Sequence, residues 1–226
     1  MNHDKIKLDM IEFDYDGESV VGDYTVTIAR DEFPENPRTA FDQLGRMVCW
    51  HNHYSLGDEH GYETPLVLMH TLSGLYSDTP AEDLTEAQRD RIHDAANEKA
   101  IILPLYLYDH SGITMRCTQF NCSWDSGQVG YIYITLAELR EYYSVKRVSQ
   151  KLYNRAIKGL EAEVAEYDQY LTGDVYHYNI VKNVNDEKVV IDSCGGFYGQ
   201  DEYMLDEIRN VIAANIANTP QQLELV

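Results

Sequence analysis

The stretch SQKLYNRAIKGLEAEVAEYDQYLTG, residues 149–173, decides the fold class. Leu152, Ala156, Leu160, Val164, Tyr167 and Leu171 recur at near-helical spacing, so one face of a long helix over 149–172 is apolar. Ser149 is a suitable N-cap and Gly173 a suitable stop. The pattern then changes period. Val175 to Val181 and Lys188 to Ile191 read as a hairpin turning through 183–186. A last helix is predicted over 201–217, with Leu205, Ile208, Val211, Ile212 and Ile216 inward.

Working back from the long helix, Thr135 with Glu138 forms a capping box that opens a shorter helix. Gln128 to Ile134 before it reads as a strand, and so does the most apolar run, Ile101 to Tyr108. Pro104 places that run at an edge or a bulge. Thr85 with Gln88 is a second capping box, for a helix running to Lys99. Pro65 to Leu72 reads as a buried strand, and Ala40 to Trp50 as a short helix or its approach. Ile6, Leu8, Ile11 and Phe13 open the chain as a strand. After a turn at Asp16-Gly17 come Val20-Val21 and Tyr24 to Ile28. The expectation is an α+β fold, mostly antiparallel sheet with about four helices, in one domain over 1–226 with a subdivision near 77–84.

Charge narrows the function classes. Among 226 residues, 38 acids face 18 bases, a net charge of -20. Direct binding to nucleic acid is disfavoured, because phosphates would meet a like-charged protein. No apolar run reaches the roughly 20 residues of a membrane span, and residues 1–17 lack a signal-peptide pattern. A cytoplasmic location in a host cell is expected, with Cys49, Cys117, Cys122 and Cys194 reduced. Acidity by itself most simply serves solubility. The long helix, however, carries Glu161, Glu163, Glu166 and Asp168 in its C-terminal half and Lys151, Arg155 and Lys158 in front, against its dipole. Twenty charges match about 34 Å of duplex, against a radius of gyration of about 17 Å, so one face could imitate a short nucleic-acid segment.

Three motifs could carry chemistry. His51 and His53, with Asp58 and His60, have residue types and spacing that suit zinc or another divalent metal. So short a motif more commonly marks a polar loop. Otherwise no cofactor is expected. His110 and Cys122 lie at strand ends, where a cysteine hydrolase places its imidazole and thiol. The bland reading of Trp124-Asp-Ser-Gly127 is an aspartate turn anchored by a buried indole. Asp192 to Gly199 reads as a tight glycine turn rather than a phosphate loop, since Asp201 and Glu202 follow it. Tyrosine is abundant, but aromatic platforms for single strands also need cations, which are scarce in the composition.

The segments Asn36-Pro-Arg38, Met47-Val-Cys-Trp-His51, Leu56-Gly-Asp-Glu-His60, Trp124-Asp-Ser-Gly-Gln-Val-Gly130, Tyr167-Asp-Gln-Tyr-Leu-Thr-Gly-Asp174 and Asp192-Ser-Cys194 stand out together. In these the chain resembles a group of uncharacterised acidic proteins carried by bacteriophages and plasmids. The resemblance implies a context, inhibition of host defence of restriction or CRISPR type, and no catalytic residue. The reading is therefore a non-enzymatic inhibitor that occupies a basic nucleic-acid-binding protein of the host. Its expected contacts are Asp9, Glu12, Asp14, Asp16, Glu161, Glu163, Glu166 and Asp168. The alternative is a metal- or cysteine-dependent hydrolase built on His51, His53, Asp58 and His60, or on His110 and Cys122.

Overall fold

The structure is a computed structural model describing residues 12–185, 187–200 and 202–218. Among these residues eight strands form two antiparallel four-stranded sheets, accompanied by six α-helices, so the fold is α+β as expected. The chain divides into two compact units, one of Met1–Glu35 with Gly173–Val226 and one of Asn36–Thr172. The joint near 77–84 falls inside the second unit.

In the discontinuous unit the sheet order is β1 (Gly17–Val21), β2 (Tyr24–Arg30), β7 (Val175–Val184), β8 (Glu187–Tyr198). Alternation sets its buried face. Tyr24, Val26 and Ile28 on β2 and Tyr176, Tyr178 and Ile180 on β7 are buried, as period two demands. Met204, Ile208 and Ile212 of α6 (Glu202–Asn218) cover them at a spacing of four. Of the five inward positions expected on α6, Ile208 and Ile212 are buried, Leu205 and Val211 pack beside them, and Ile216 is exposed. Buried tyrosine hydroxyls find acceptors: Tyr24 donates to Asn215 (2.8 Å) and Tyr178 to Asp192 (2.7 Å). Asp192 to Tyr198 is not a turn. It continues β8 with register shifts, and Gly196 takes a φ of 79°. The tight connection of the first hairpin is Gly22-Asp23 rather than Asp16-Gly17, which instead leads into β1. Ile6, Leu8 and Ile11 lie outside the described residues.

In the continuous unit the order is β3 (Arg46–Cys49), β6 (Ser126–Thr135), β4 (Ala100–Asp109), β5 (Ile113–Arg116). Both faces are covered. On one side lies α5 (Gln150–Thr172), burying Ala156, Leu160, Val164 and Tyr167 against Met47, Ile101, Leu105, Met115 and Ile132. On the other lie α2 (Pro65–Ser73) and α3 (Glu86–Lys99), with Leu68, Met69, Ile92 and Ala96 inward. Both capping boxes form as expected, at Thr85–Gln88 and at Thr135–Glu138, which opens α4 (Leu136–Tyr142). Pro104 pairs with β6 on one side only, one residue before a bulge at Leu105/Tyr106.

Two segments correct the sequence reading. Pro65 to Leu72 is helical: Thr64 caps it, Pro65 occupies the first turn, and Gly74 ends it at φ 60°. The apolar run pointed to a strand because a helix packed both on the sheet, through Leu68, and on α3, through Met69, keeps little polar surface. The segment 40–50 holds strand β3 instead of a helix, preceded by a single helical turn, α1 (Pro37–Ala40).

Candidate functional site

Charge is distributed unequally between the units. Among its described residues the discontinuous unit carries 14 carboxylates and 4 Lys or Arg. The other carries 19 against 12 over roughly twice the length. Of the expected partner contacts, Asp9 lies outside the described residues. Glu12, Asp14 and Asp16 are exposed on the approach to β1, joined by exposed Glu18 on that edge strand. Asp16 makes one loose pair with Arg30 at 3.6 Å, half in solvent. Such a pair contributes little to stability, so these carboxylates stay free for a partner.

The four acids of α5 behave otherwise. Only Glu161 is exposed. Asp168 accepts from the Met115 backbone N–H (2.7 Å) and the Thr114 hydroxyl (2.8 Å), tying α5 to β5. Glu163 is turned inward, its side chain 11% exposed. The sequence carries a signal for this: Glu163 falls three residues after Leu160 and four before Tyr167, on the apolar stripe itself. Glu166 is half-buried, and its carboxyl is pushed up by burial first and by the charge of Glu163 second, against Arg38 and a Gln43 hydrogen bond. The folded protein therefore binds the Glu166 proton more tightly than the unfolded chain, and the ionised form costs stability as pH rises through that raised value. Glu166→Gln is expected to melt above the parent at pH about 7.5, with the gap closing toward pH about 4 as the parent carboxyl protonates. Circular-dichroism melts across this range check it.

What draws Glu163 inward is Arg38. Asn36 caps the turn by accepting from the Arg38 N–H (2.9 Å), and Pro37 fixes its first residue. The guanidinium, 2% exposed, donates from Nε and Nη2 to Asp58 (2.8 and 2.7 Å). It also donates from Nη1 to Glu163 (2.9 Å) and Gln43 (3.3 Å), and from Nη2 to the Gly45 carbonyl (2.7 Å). All five donors are occupied. The carboxylates in turn hold loop backbone: Asp58 accepts from Met47 N–H, and Glu163 from Leu44 and Gly45 N–H. Burial pulls the Arg38 pKa down, but the two carboxylates outweigh it and the net direction is up. A guanidinium with no free donor is a clamp, and it leaves nothing with which to grip a ligand.

The histidine motif is dispersed. Asp58 belongs to Arg38. His51 Nδ1 accepts from the His53 and Tyr54 N–H groups (3.2 Å each), and its ring stacks on Tyr54. His60 Nε2 faces the Cys49 carbonyl at 2.9 Å and so carries the proton, with the ring in contact with Trp50 and Tyr62. Among the described residues no three His, Cys, Asp or Glu side chains gather as a metal-ligand group.

At the strand ends, Asp125 stands between the other two groups. Its Oδ2 is 3.7 Å from the Cys122 sulfur and 3.5 Å from His110 Nδ1. The imidazole is thus aimed at a carboxylate rather than at the thiol it would deprotonate. The shallow depression beside His110, about 310 Å³ and lined by Tyr108, Thr114 and Thr172 among others, does not include Cys122. Trp124 is no buried anchor; it is 94% exposed, and the turn is held by the Ser126 hydroxyl donating to the Cys122 carbonyl. Elsewhere, burial raises the Cys49 thiol to about 12 and the Cys117 thiol to about 11, with Asp58 and Glu161 adding to each in turn. Those two are inert packing residues.

No helix among the described residues is long and apolar enough to cross a membrane. The chain matches no protein-family model, no curated protein and no solved structure.

Proposed function

We propose that the protein is a non-catalytic inhibitor, of mobile-element origin, that occupies the basic nucleic-acid channel of a host defence protein of restriction or CRISPR type. The observation that carries the reading is the excess of 14 carboxylates over 4 cations among the described residues of one unit, with Glu12, Asp14 and Asp16 exposed on the approach to edge strand β1 and Glu18 exposed on it. Carboxylates held in solvent at low cost gain most when they meet Lys or Arg and release counterions. Burial revises the contact set: Glu12, Asp14 and Asp16 remain, joined by Glu18. Glu161 is exposed but belongs to the other unit and is not part of this face, while Glu163, Glu166 and Asp168 serve the interior of that unit. The location that follows is the host cytoplasm, where the channel is found.

The hydrolase alternative has no geometric support, since neither the histidine motif nor the Cys122–His110 pair assembles a working set. The test is competition. Purified protein is titrated against a restriction or CRISPR effector with labelled DNA, at salt from about 50 to 300 mM. DNA displacement should weaken steeply with salt, and Asp14→Lys/Asp16→Lys/Glu18→Lys should weaken it at least about tenfold. Displacement indifferent to salt and to charge reversal would remove the electrostatic reading.

A further inference from the structure

The long helix has a counterpart to the acidic unit. Between residues 140 and 158 lie Arg140, Lys146, Arg147, Lys151, Arg155 and Lys158, with Glu141 as the lone acid. All six cations are exposed, and among the described residues none forms an ion pair. In a chain with twice as many acids as bases, unpaired cations are not a matter of supply. Lys151 and Arg155 also occupy the first turns of α5, where the helix dipole disfavours positive charge. Local structure brings an aromatic pair to the helix: in the turn after α4, with Ser144 at φ 52°, the Tyr143 ring lies under the Arg155 guanidinium, 5.3 Å away. Tyr143 meets Tyr142 edge-on at 5.0 Å, and Tyr142 is 66% exposed. The result is a basic ridge with an aromatic face at its end. Lys151, Arg155 and Lys158 share one side of the helix and span about 10 Å, the length of about three phosphates on one strand.

We infer that this ridge is a docking surface for single-stranded nucleic acid, the cations tracking phosphates and Tyr142 stacking a base. Carboxylates of a second copy would satisfy the cations but would have no use for an exposed ring. A duplex would keep its bases hidden from that ring. The net charge of the chain does not forbid it, because screening over about 8–10 Å isolates the ridge from distant acids and leaves a modest affinity. This contact is separate from the proposed inhibitory face, lies on the other unit, and stands or falls without it.

The experiment is fluorescence anisotropy of a fluorescein-labelled 12-nucleotide oligo-dT with the full chain. At low salt a Kd within about 10⁻⁴–10⁻⁶ M is expected, with log affinity against log salt falling with a slope of about -3 to -4. Lys151→Glu/Arg155→Glu should weaken binding at least about tenfold and flatten the slope by about 1.4 or more. Lys146→Glu/Arg147→Glu, in the exposed turn outside α5, should also weaken binding and flatten the slope, which keeps the test valid where the first pair perturbs the helix. Tyr142→Ala should weaken binding about fivefold or more while leaving the salt slope in place. Absence of binding at low salt, equal affinity for the duplex form, or indifference to Tyr142→Ala would overturn the inference. So would self-association in sedimentation that the Glu variants abolish while the oligonucleotide stays unbound, which would assign the ridge to a second copy.

Discussion

Arg38→Ala is expected to destabilise the continuous unit by about 3–5 kcal/mol, because it leaves two inward-facing carboxylates without their counter-charge. The loss extends beyond an ion pair. Asp58 and Glu163 each hold backbone N–H groups of the segment 44–47, so freeing them loosens the entry into β3. For a chain of this size that corresponds to a fall in melting temperature of roughly 6–20 °C. Arg38→Lys should recover little, since an ammonium cannot fork onto Asp58 while also reaching Glu163, Gln43 and Gly45. A double-mutant cycle with Glu163→Gln separates charge from packing: the double variant should lose clearly less stability than the two single losses summed. Melting within about 1 kcal/mol of the parent for Arg38→Ala would show that the cluster is relieved by water and that the clamp is not one.

Gly130→Ala is the second large effect. Gly130 pairs with Cys49 on one side and Leu105 on the other, at the bulge of β4, so its strand is fixed from both edges. A Cβ there would run into the Val48 carbonyl oxygen and the Cys49 Cα, which are backbone and cannot rotate away. Overpacking of this kind costs about 3 kcal/mol, the upper part of its usual range. Gly127→Ala on the same strand has nothing within 4 Å of the added carbon and should stay within about 0.5 kcal/mol of the parent. Chemical denaturation of the two variants side by side gives the comparison. Equal midpoints would mean that β3 moves aside without cost.

Local signals made much of the fold legible. The two capping boxes, the period of α5 and the alternation of β7 act within a few residues, and a one-dimensional string preserves them. The α2 segment shows how one strong local cue can mask another: its apolar run hid the Thr64-Pro65 start and Gly74 stop that were equally present. The candidate site was less legible because charge has no period. Glu161 and Glu163 are two residues apart and identical in chemistry, yet one faces water and the other Arg38, 125 positions away.

By itself the sequence determined the α+β class, the long helix, the capped helix starts and the sign of the net charge. Each follows from composition or from neighbours along the chain. Only the tertiary contacts brought Arg38 to Glu163 and made Asp58 serve a guanidinium rather than a metal. Those outcomes depend on which distant side chain arrives within about 3–4 Å, the range at which charged groups pair, and sequence separation carries no record of that distance.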